Sequence, residues 1–207
     1  TVDYVSAVVL DLDGTVLFGD CRPATGPDAL PGLARDVVER HVDGREVVGT
    51  TLAVPALVRG DDRTVAWAPN LDVEGRHLAE AVRDLVPGAV QVSNDANCAA
   101  YAEAHHGAAR GVRHALYLTG TVGIGAGILQ HGELVRGGAG FAGEVGHMPV
   151  GVSAAVCGCG RRGCWEASVG LHAMLAAVGM PELDTPLRSA ESVAARAADD
   201  AAVRAGL

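Results

Sequence analysis

The feature that most constrains this chain lies between positions 147 and 164, where one imidazole and three thiols are packed into a short, glycine-rich stretch: His147, Cys157, Cys159 and Cys164. Three cysteines and one histidine match the donor set of a closed tetrahedral zinc site. Gly158, Gly160 and Gly163 let the backbone wrap tightly around an ion. A disulfide fits less well. Cys157 and Cys159 are too close in sequence to bridge each other comfortably. The chain also has five cysteines, an odd number, and no secretory apolar segment at its start. Three thiolates and a neutral imidazole around Zn²⁺ leave one negative charge, which Arg161 and Arg162 inside the loop are placed to offset. Cys21 and Cys98, far away in sequence, are expected only to pack. Glu144 and Glu166 flank the cluster without being needed as ligands, so both are free for another task.

The 207 residues suffice for one large domain or two small lobes, and a hydrophobic content of 49% is ample for a core. The net charge is −9 and no lysine is present. An acidic chain of this kind has no electrostatic footprint for DNA, so any DNA contact must come from another segment. No apolar run reaches membrane-spanning length, and a cytoplasmic location is expected. The first residues already read as a strand and the last lie in an Ala-rich helical pattern, so both ends read as cuts through a longer protein.

Periodicity predicts an α/β fold. Residues 4–12 and 15–18 read as a hairpin around Asp13-Gly14. A helix is expected over 28–42, strands over 47–54 and at 65–67, and a helix over 75–85. A strand over 90–93 delivers Asn94 and Asp95 at its C-terminal end, and a helix follows over 96–109. Strands 112–119 and 123–129 come next, with a turn at 130–132. The remainder reads as helix from Cys164 onward and over 188–205. Asp95, between a strand end and a helix start, stands where ligands bind in open α/β sheets. Asn94 and Asp95 are also good helix caps.

The segments Glu144-Val145-Gly146-His147, Cys157 through Glu166, and Asn94-Asp95-Ala96-Asn97-Cys98-Ala99-Ala100 together resemble the ROK family, which groups bacterial sugar kinases and sugar-responsive transcriptional repressors. The resemblance covers nearly the whole chain. It implies an actin-like ATPase (ribonuclease H-like) fold of two lobes around a cleft with a zinc-binding loop. Residues 1–108 would form the first lobe, on the sugar side, and 109–207 an incomplete second lobe. It further implies that Asn70, Asn94, Asp95, Glu144, His147 and Glu166 contact a sugar. Asp95 is then the general base in a kinase, and His147 serves zinc with one nitrogen and a hydroxyl with the other. A homodimer or larger assembly is expected.

Departures from the kinase pattern favour a repressor-type member. The first phosphate turn of the kinases, Asp-x-Gly-Gly-Thr, aligns its last three positions with Thr1, Val2 and Asp3, which lack both glycines and put a carboxylate where phosphate would sit. The second turn, Thr121 to Gly127, has Val122 in place of a threonine hydroxyl but keeps Gly123 and Gly125, a weak nucleotide signal. ATP and Mg²⁺ are therefore not expected. The resemblance implies a sugar effector, a hexose or N-acetylhexosamine, and a DNA-binding helix-turn-helix upstream of Thr1. An ATP-dependent sugar kinase is the alternative. Ala56 follows Pro55 where the family usually has glycine, and its methyl is expected to reshape the sugar pocket. Asp11-Leu12-Asp13-Gly14-Thr15 also resembles the first motif of haloacid-dehalogenase-type phosphatases, but the basic residue that family needs, usually lysine, is missing.

Overall fold

The structure is a computed structural model that describes residues 4–23, 27–42, 44–68, 71, 78–120, 122–151 and 154–206. Thr1, Val2, Asp3, Asn70 and Thr121 lie outside the described residues. Two compact units are present: Thr1–Ala115 with Ile128–Ala142, and Leu116–Gly127 with Gly143–Leu207.

In the first unit, β1 (Tyr4–Leu10) and β2 (Val16–Pro23) form an antiparallel pair with Tyr4 opposite Pro23 and a register shift between Val9 and Leu10. The turn between them is built by its own aspartates. Asp11 Oδ1 accepts the amides of Asp13 at 3.1 Å and Thr15 at 3.0 Å, while Asp13 Oδ1 accepts the Thr15 amide at 2.9 Å and its hydroxyl at 2.6 Å. These bonds make the Asp-Leu-Asp-Gly-Thr run a self-bonded Asx turn. Gly14 adopts φ +89°, and a Cβ there would strike the His106 ring.

Helix α1 (Leu30–His41) has proline in its first turn, where the missing N–H costs nothing, and buries Leu33. The strands β3 (Gly49–Val54) and β6 (Ala89–Asn94) pair in parallel, with Gly49 opposite Ala89 and Val54 opposite Asn94. Parallel pairing requires a long crossover. Here it contains the short antiparallel pair β4 (Leu57–Val58) and β5 (Val65–Trp67) and the helix α2 (Leu78–Arg83). Val54, Val58, Val65, Leu78 and Val92 form the core of this unit. Ala56 is 5% exposed and belongs to the same cluster, so its methyl packs into the core. Helix α3 (Asp95–His105) follows β6 directly.

β7 (His114–Gly120), β8 (Ile124–Gln130) and β9 (Glu133–Leu134) form a sheet in that order. His131 and Gly132 join β8 to β9 with φ +56° and +87°. Two consecutive positive φ values give the turn whose twist suits a tight hairpin.

The second unit carries a 3-10 turn (Val145–His147) and helices α4 (Trp165–Val169), α5 (Leu171–Ala177), α6 (Pro186–Asp199) and α7 (Ala201–Gly206). The helix expected from Cys164 onward is divided at Gly170, which adopts extended angles (φ −71°, ψ 172°) and donates its N–H to Glu166 O at 2.7 Å. The helix expected over 188–205 is likewise two. Asp200 leaves helical geometry with ψ 110°, and its Oδ1 accepts the Ala202 amide at 2.9 Å. Thr185 caps α6 by accepting the Arg188 amide at 3.3 Å. The fully buried Ser189 hydroxyl accepts from Leu183 N at 2.8 Å and donates to Thr185 O at 3.1 Å. Leu171, Leu175 and Val193 form the core here, with Met180 packed against them.

Candidate metal and ligand site

The loop that carries the three thiols is folded by local hydrogen bonds. Cys157 N donates to Arg161 O and Gly160 N to Cys157 O, both at 2.8 Å. Bridges between Pro149 and Cys164 and between Val156 and Arg162 close its two sides. Gly160 and Gly163 take φ +82° and +73°, values that favour glycine and let the chain reverse around the thiols. The 3-10 turn presents His147. Its Gly146 lies so close to Ile124 O that a Cβ there would collide with it, which fixes the imidazole's approach. Cys164 is the N-cap residue of α4.

The ligand atoms of His147, Cys157, Cys159 and Cys164 all lie within 4.8 Å of one another. A tetrahedral ion with metal–sulfur bonds of about 2.3 Å sets sulfurs about 3.8 Å apart, and a sulfur and an imidazole nitrogen about 3.6 Å apart. Cys159 Sγ and Cys164 Sγ are 3.7 Å apart, and Cys157 Sγ and His147 Nδ1 are 3.5 Å apart. The group therefore fits a metal ion. Burial pushes the Cys157 thiol up to about 12. Burial also acts to raise Cys159, but the Arg161 guanidinium and neighbouring thiols outweigh it and bring it down to about 7. Arg161 thus supplies the positive charge expected beside the cluster. Arg162 instead donates to Ala154 O at 2.9 Å.

Both flanking carboxylates adjoin this cluster. With Nδ1 turned to the thiols, His147 holds Nε2 3.8 Å from Glu144 Oε2. Glu166 Oε1 lies 3.8 Å from Cys157 Sγ, and its Oε2 accepts the Ile124 amide at 2.9 Å. Gly123 sits against that carboxylate, and a Cβ at Gly123 would collide with Glu166 Oε2. Neither the bond to Ile124 nor this role of Gly123 is legible in the sequence. The only local signal was a glycine retained at a turn that had lost its hydroxyl.

In the first unit, Asn94 is the N-cap of α3. Its Oδ1 accepts the Asn97 amide at 3.1 Å and its Nδ2 donates to Ala56 O at 3.1 Å. Asp95 Oδ1 accepts the Ala96 amide at 2.9 Å. Burial raises the Asp95 carboxyl above its ordinary value, with the Ala96 amide opposing the shift. Asn97 is 4% exposed, and its Oδ1 has no hydrogen-bond partner among the described residues.

A family model described as ROK family matches residues 2–205. The chain belongs to the ROK family. It is 30% identical over 181 residues to a xylose repressor of Bacillus subtilis, covering 84% of this chain and 47% of that protein. It is 36% identical over 163 residues to a glucokinase of Streptomyces coelicolor, covering 78% of this chain and 51% of that one. The chain thus spans about half the length of the curated relatives it matches. Among solved structures, a ROK family glucokinase from Streptomyces griseus in complex with glucose and AMPPNP matches with a TM-score of 0.75 at 30% identity, over 86% of this chain and 57% of that chain. A ROK family transcriptional regulator, a homologue of the E. coli MLC protein, shares the fold with a TM-score of 0.75 at 24% identity, over 96% of this chain and 54% of that chain. The α/β architecture is the actin-like ATPase fold of these ROK proteins. Repressors and kinases stand side by side among the relatives. Among the described residues, no helix is long and apolar enough to cross a membrane.

Proposed function

We propose that this chain is the sugar-sensing part of a ROK-type transcriptional regulator. Asn70, Asn94, Asp95, Glu144, His147 and Glu166 bind the sugar, and a structural zinc is held by His147, Cys157, Cys159 and Cys164. When bound, zinc would supply a rigid anchor for the loop. The chain's own residues do the recognition. Carboxylates accept sugar hydroxyls through strong, directional hydrogen bonds. His147 Nε2 and Glu144 Oε2, 3.8 Å apart, offer a donor and an acceptor to adjacent hydroxyls. Xylose and glucose, named among the relatives, join N-acetylhexosamines as candidate effectors.

The observation that carries the sensor reading is the bond from Ile124 N–H to the Glu166 carboxylate at 2.9 Å. In the kinase pattern the glycine turn at 121–127 offers its amides to phosphate. Here a carboxylate takes one of them, and Val122 brings no hydroxyl. A negative charge at that amide opposes phosphate. In a regulator, sugar shifts the balance between two states by its differential affinity for them. DNA contact would come from a helix-turn-helix segment outside these residues, in a homodimer or larger assembly located in the cytoplasm.

A kinase reading is favoured by one observation. Asp95 is a half-buried carboxylate with a raised pKa, as suits a general base on an attacking hydroxyl. Titrating the zinc-loaded longer protein with glucose, xylose and N-acetylhexosamines, with and without ATP and Mg²⁺, tests both readings when sugar phosphate is assayed in the same samples. Sugar binding without turnover supports the sensor, and turnover assigns the kinase.

A further inference from the structure

The three thiols of the loop differ in access. Cys157 and Cys164 are 4% and 1% exposed, whereas Cys159 is partly exposed and lies between the exposed Gly158 and Gly160. The Arg161 guanidinium rests against the Cys159 sulfur. Behind it, Cys164 Sγ is 3.7 Å from Cys159 Sγ. A disulfide bond is about 2.05 Å long, so closure requires about 1.7 Å of approach between these two sulfurs. The residues between them include Gly160 and Gly163, which leave the loop free to close. The other pairings are disfavoured. Cys157 faces His147 Nδ1 at 3.5 Å and Glu166 Oε1 at 3.8 Å, and a single residue separates it from Cys159. A bond between Cys157 and Cys164 would join two thiols that are both shielded from an oxidant. An accessible sulfur backed by a buried one is the arrangement of a reactive thiol with its resolving partner.

We propose that Cys159 and Cys164 form a peroxide-sensitive pair whose oxidation to a disulfide dismantles the metal site and, through Glu166, loosens the glycine turn at Ile124. The Cys159 sulfur attacks one oxygen of hydrogen peroxide, the O–O bond breaks, and a sulfenic acid and one water result. The Cys164 sulfur then displaces the sulfenic oxygen as a second water and forms the S–S bond. Two thiols and one peroxide thus become one disulfide and two waters, with both sulfurs oxidised and the peroxide reduced. Arg161 is placed to hold the negative charge of the departing oxygen. The disulfide removes two of the four donors, and His147 with Cys157 alone does not close a tetrahedral site. Cys164 is the N-cap of α4 and Glu166 sits in the first turn of that helix, so a shift of Cys164 is passed to the Glu166 carboxylate and its bond to the Ile124 amide. A dithiol reductant and renewed zinc restore the starting state. This switch rests on the zinc assignment proposed for the loop and is independent of the sugar.

Treating the zinc-loaded protein with hydrogen peroxide tests this. Zinc is counted with a chromogenic chelator before and after treatment, disulfides are mapped by peptide mass spectrometry without reduction, and exchange of the Ile124 amide is followed by NMR. The expected result is release of about one zinc per chain, a Cys159–Cys164 disulfide, and exchange at Ile124 faster by at least about tenfold, all reversed by dithiothreitol and added zinc. Zinc absent before oxidation sinks the metal assignment, whereas zinc present before and retained after oxidation overturns the switch alone. A disulfide through Cys157, a disulfide between chains, or a sulfinic acid on Cys159 in place of a disulfide overturns it as well. Unchanged exchange at Ile124 in the oxidised protein overturns the link through Glu166.

Discussion

Replacing Gly123 with alanine separates the two reasons this glycine can have been retained. If it served a phosphate turn, its methyl would matter only to a nucleotide. The structure gives it another neighbour: the three heavy atoms nearest to a new Cβ all belong to the Glu166 carboxylate. The backbone at Gly123 is not in the left-handed region, so alanine brings no conformational strain. By restricting the unfolded chain it should instead stabilise by about 0.4–1 kcal/mol. Against this, the methyl displaces Glu166 Oε2 from the Ile124 amide, and a hydrogen bond to a charged group contributes about 1.5–3 kcal/mol. The net expectation for Gly123→Ala is a loss of about 1–2 kcal/mol, or about 2–8 °C in melting temperature for a chain of this size. In a Glu166→Ala background the collision is gone, and the same substitution should become stabilising. Urea or thermal melts of the four zinc-loaded proteins complete the double-mutant cycle. An equal cost of Gly123→Ala in both backgrounds would refute the claim that this glycine exists for Glu166.

Cys159→Ser should lower the metal content below one ion per chain, measured by plasma mass spectrometry, and lower the melting temperature, because the thiolate set is opened. Unchanged metal content and melting temperature would contradict the four-ligand assignment. Glu144→Ala should reduce sugar affinity by at least about tenfold in calorimetry while leaving the fold intact; full retained affinity removes Glu144 from the site. Burial raises Asp95 above its ordinary 3.8, so its contribution to stability is present below that value and lost as pH rises through the raised pKa. The stability of Asp95→Asn relative to the parent should therefore increase as pH rises from about 4 toward neutrality in urea titrations, and a flat difference would show that burial does not perturb this carboxylate.

What the sequence disclosed was local. The four residues that could hold a metal ion fall between positions 147 and 164, and the glycines that bend the loop lie among them, so donor set and spacing could be read directly. The β1–β2 turn was legible for the same reason, since Asp13 and Gly14 carry their turn chemistry in their own side chain and φ. Helix breaks were less visible. Gly170 interrupts an apolar pattern that continues on both sides, and only the close approach of Glu166 O explains why the chain turns there. The parallel pairing of β3 with β6 joins residues about 40 positions apart and leaves no mark on either segment alone. Ala56, read as reshaping a sugar pocket because the family usually has glycine there, is packed in one core cluster with Val54 and Val65, a contact that no local pattern reveals.

Glu166 shows how far local reading extends and where it stops. Its place after Cys164 marked it as a residue near the metal loop, and its Oε1 does lie 3.8 Å from Cys157 Sγ. Its other oxygen reaches an amide 42 positions back in the chain, at Ile124. One carboxylate therefore ties the thiol loop to the glycine turn that, in a kinase pattern, would hold phosphate. Opening the thiol loop should loosen that turn, and an anion at the turn should displace Glu166 from the Ile124 amide. If this chain does sense sugar without phosphorylating it, as proposed, both properties would depend on where this single side chain rests.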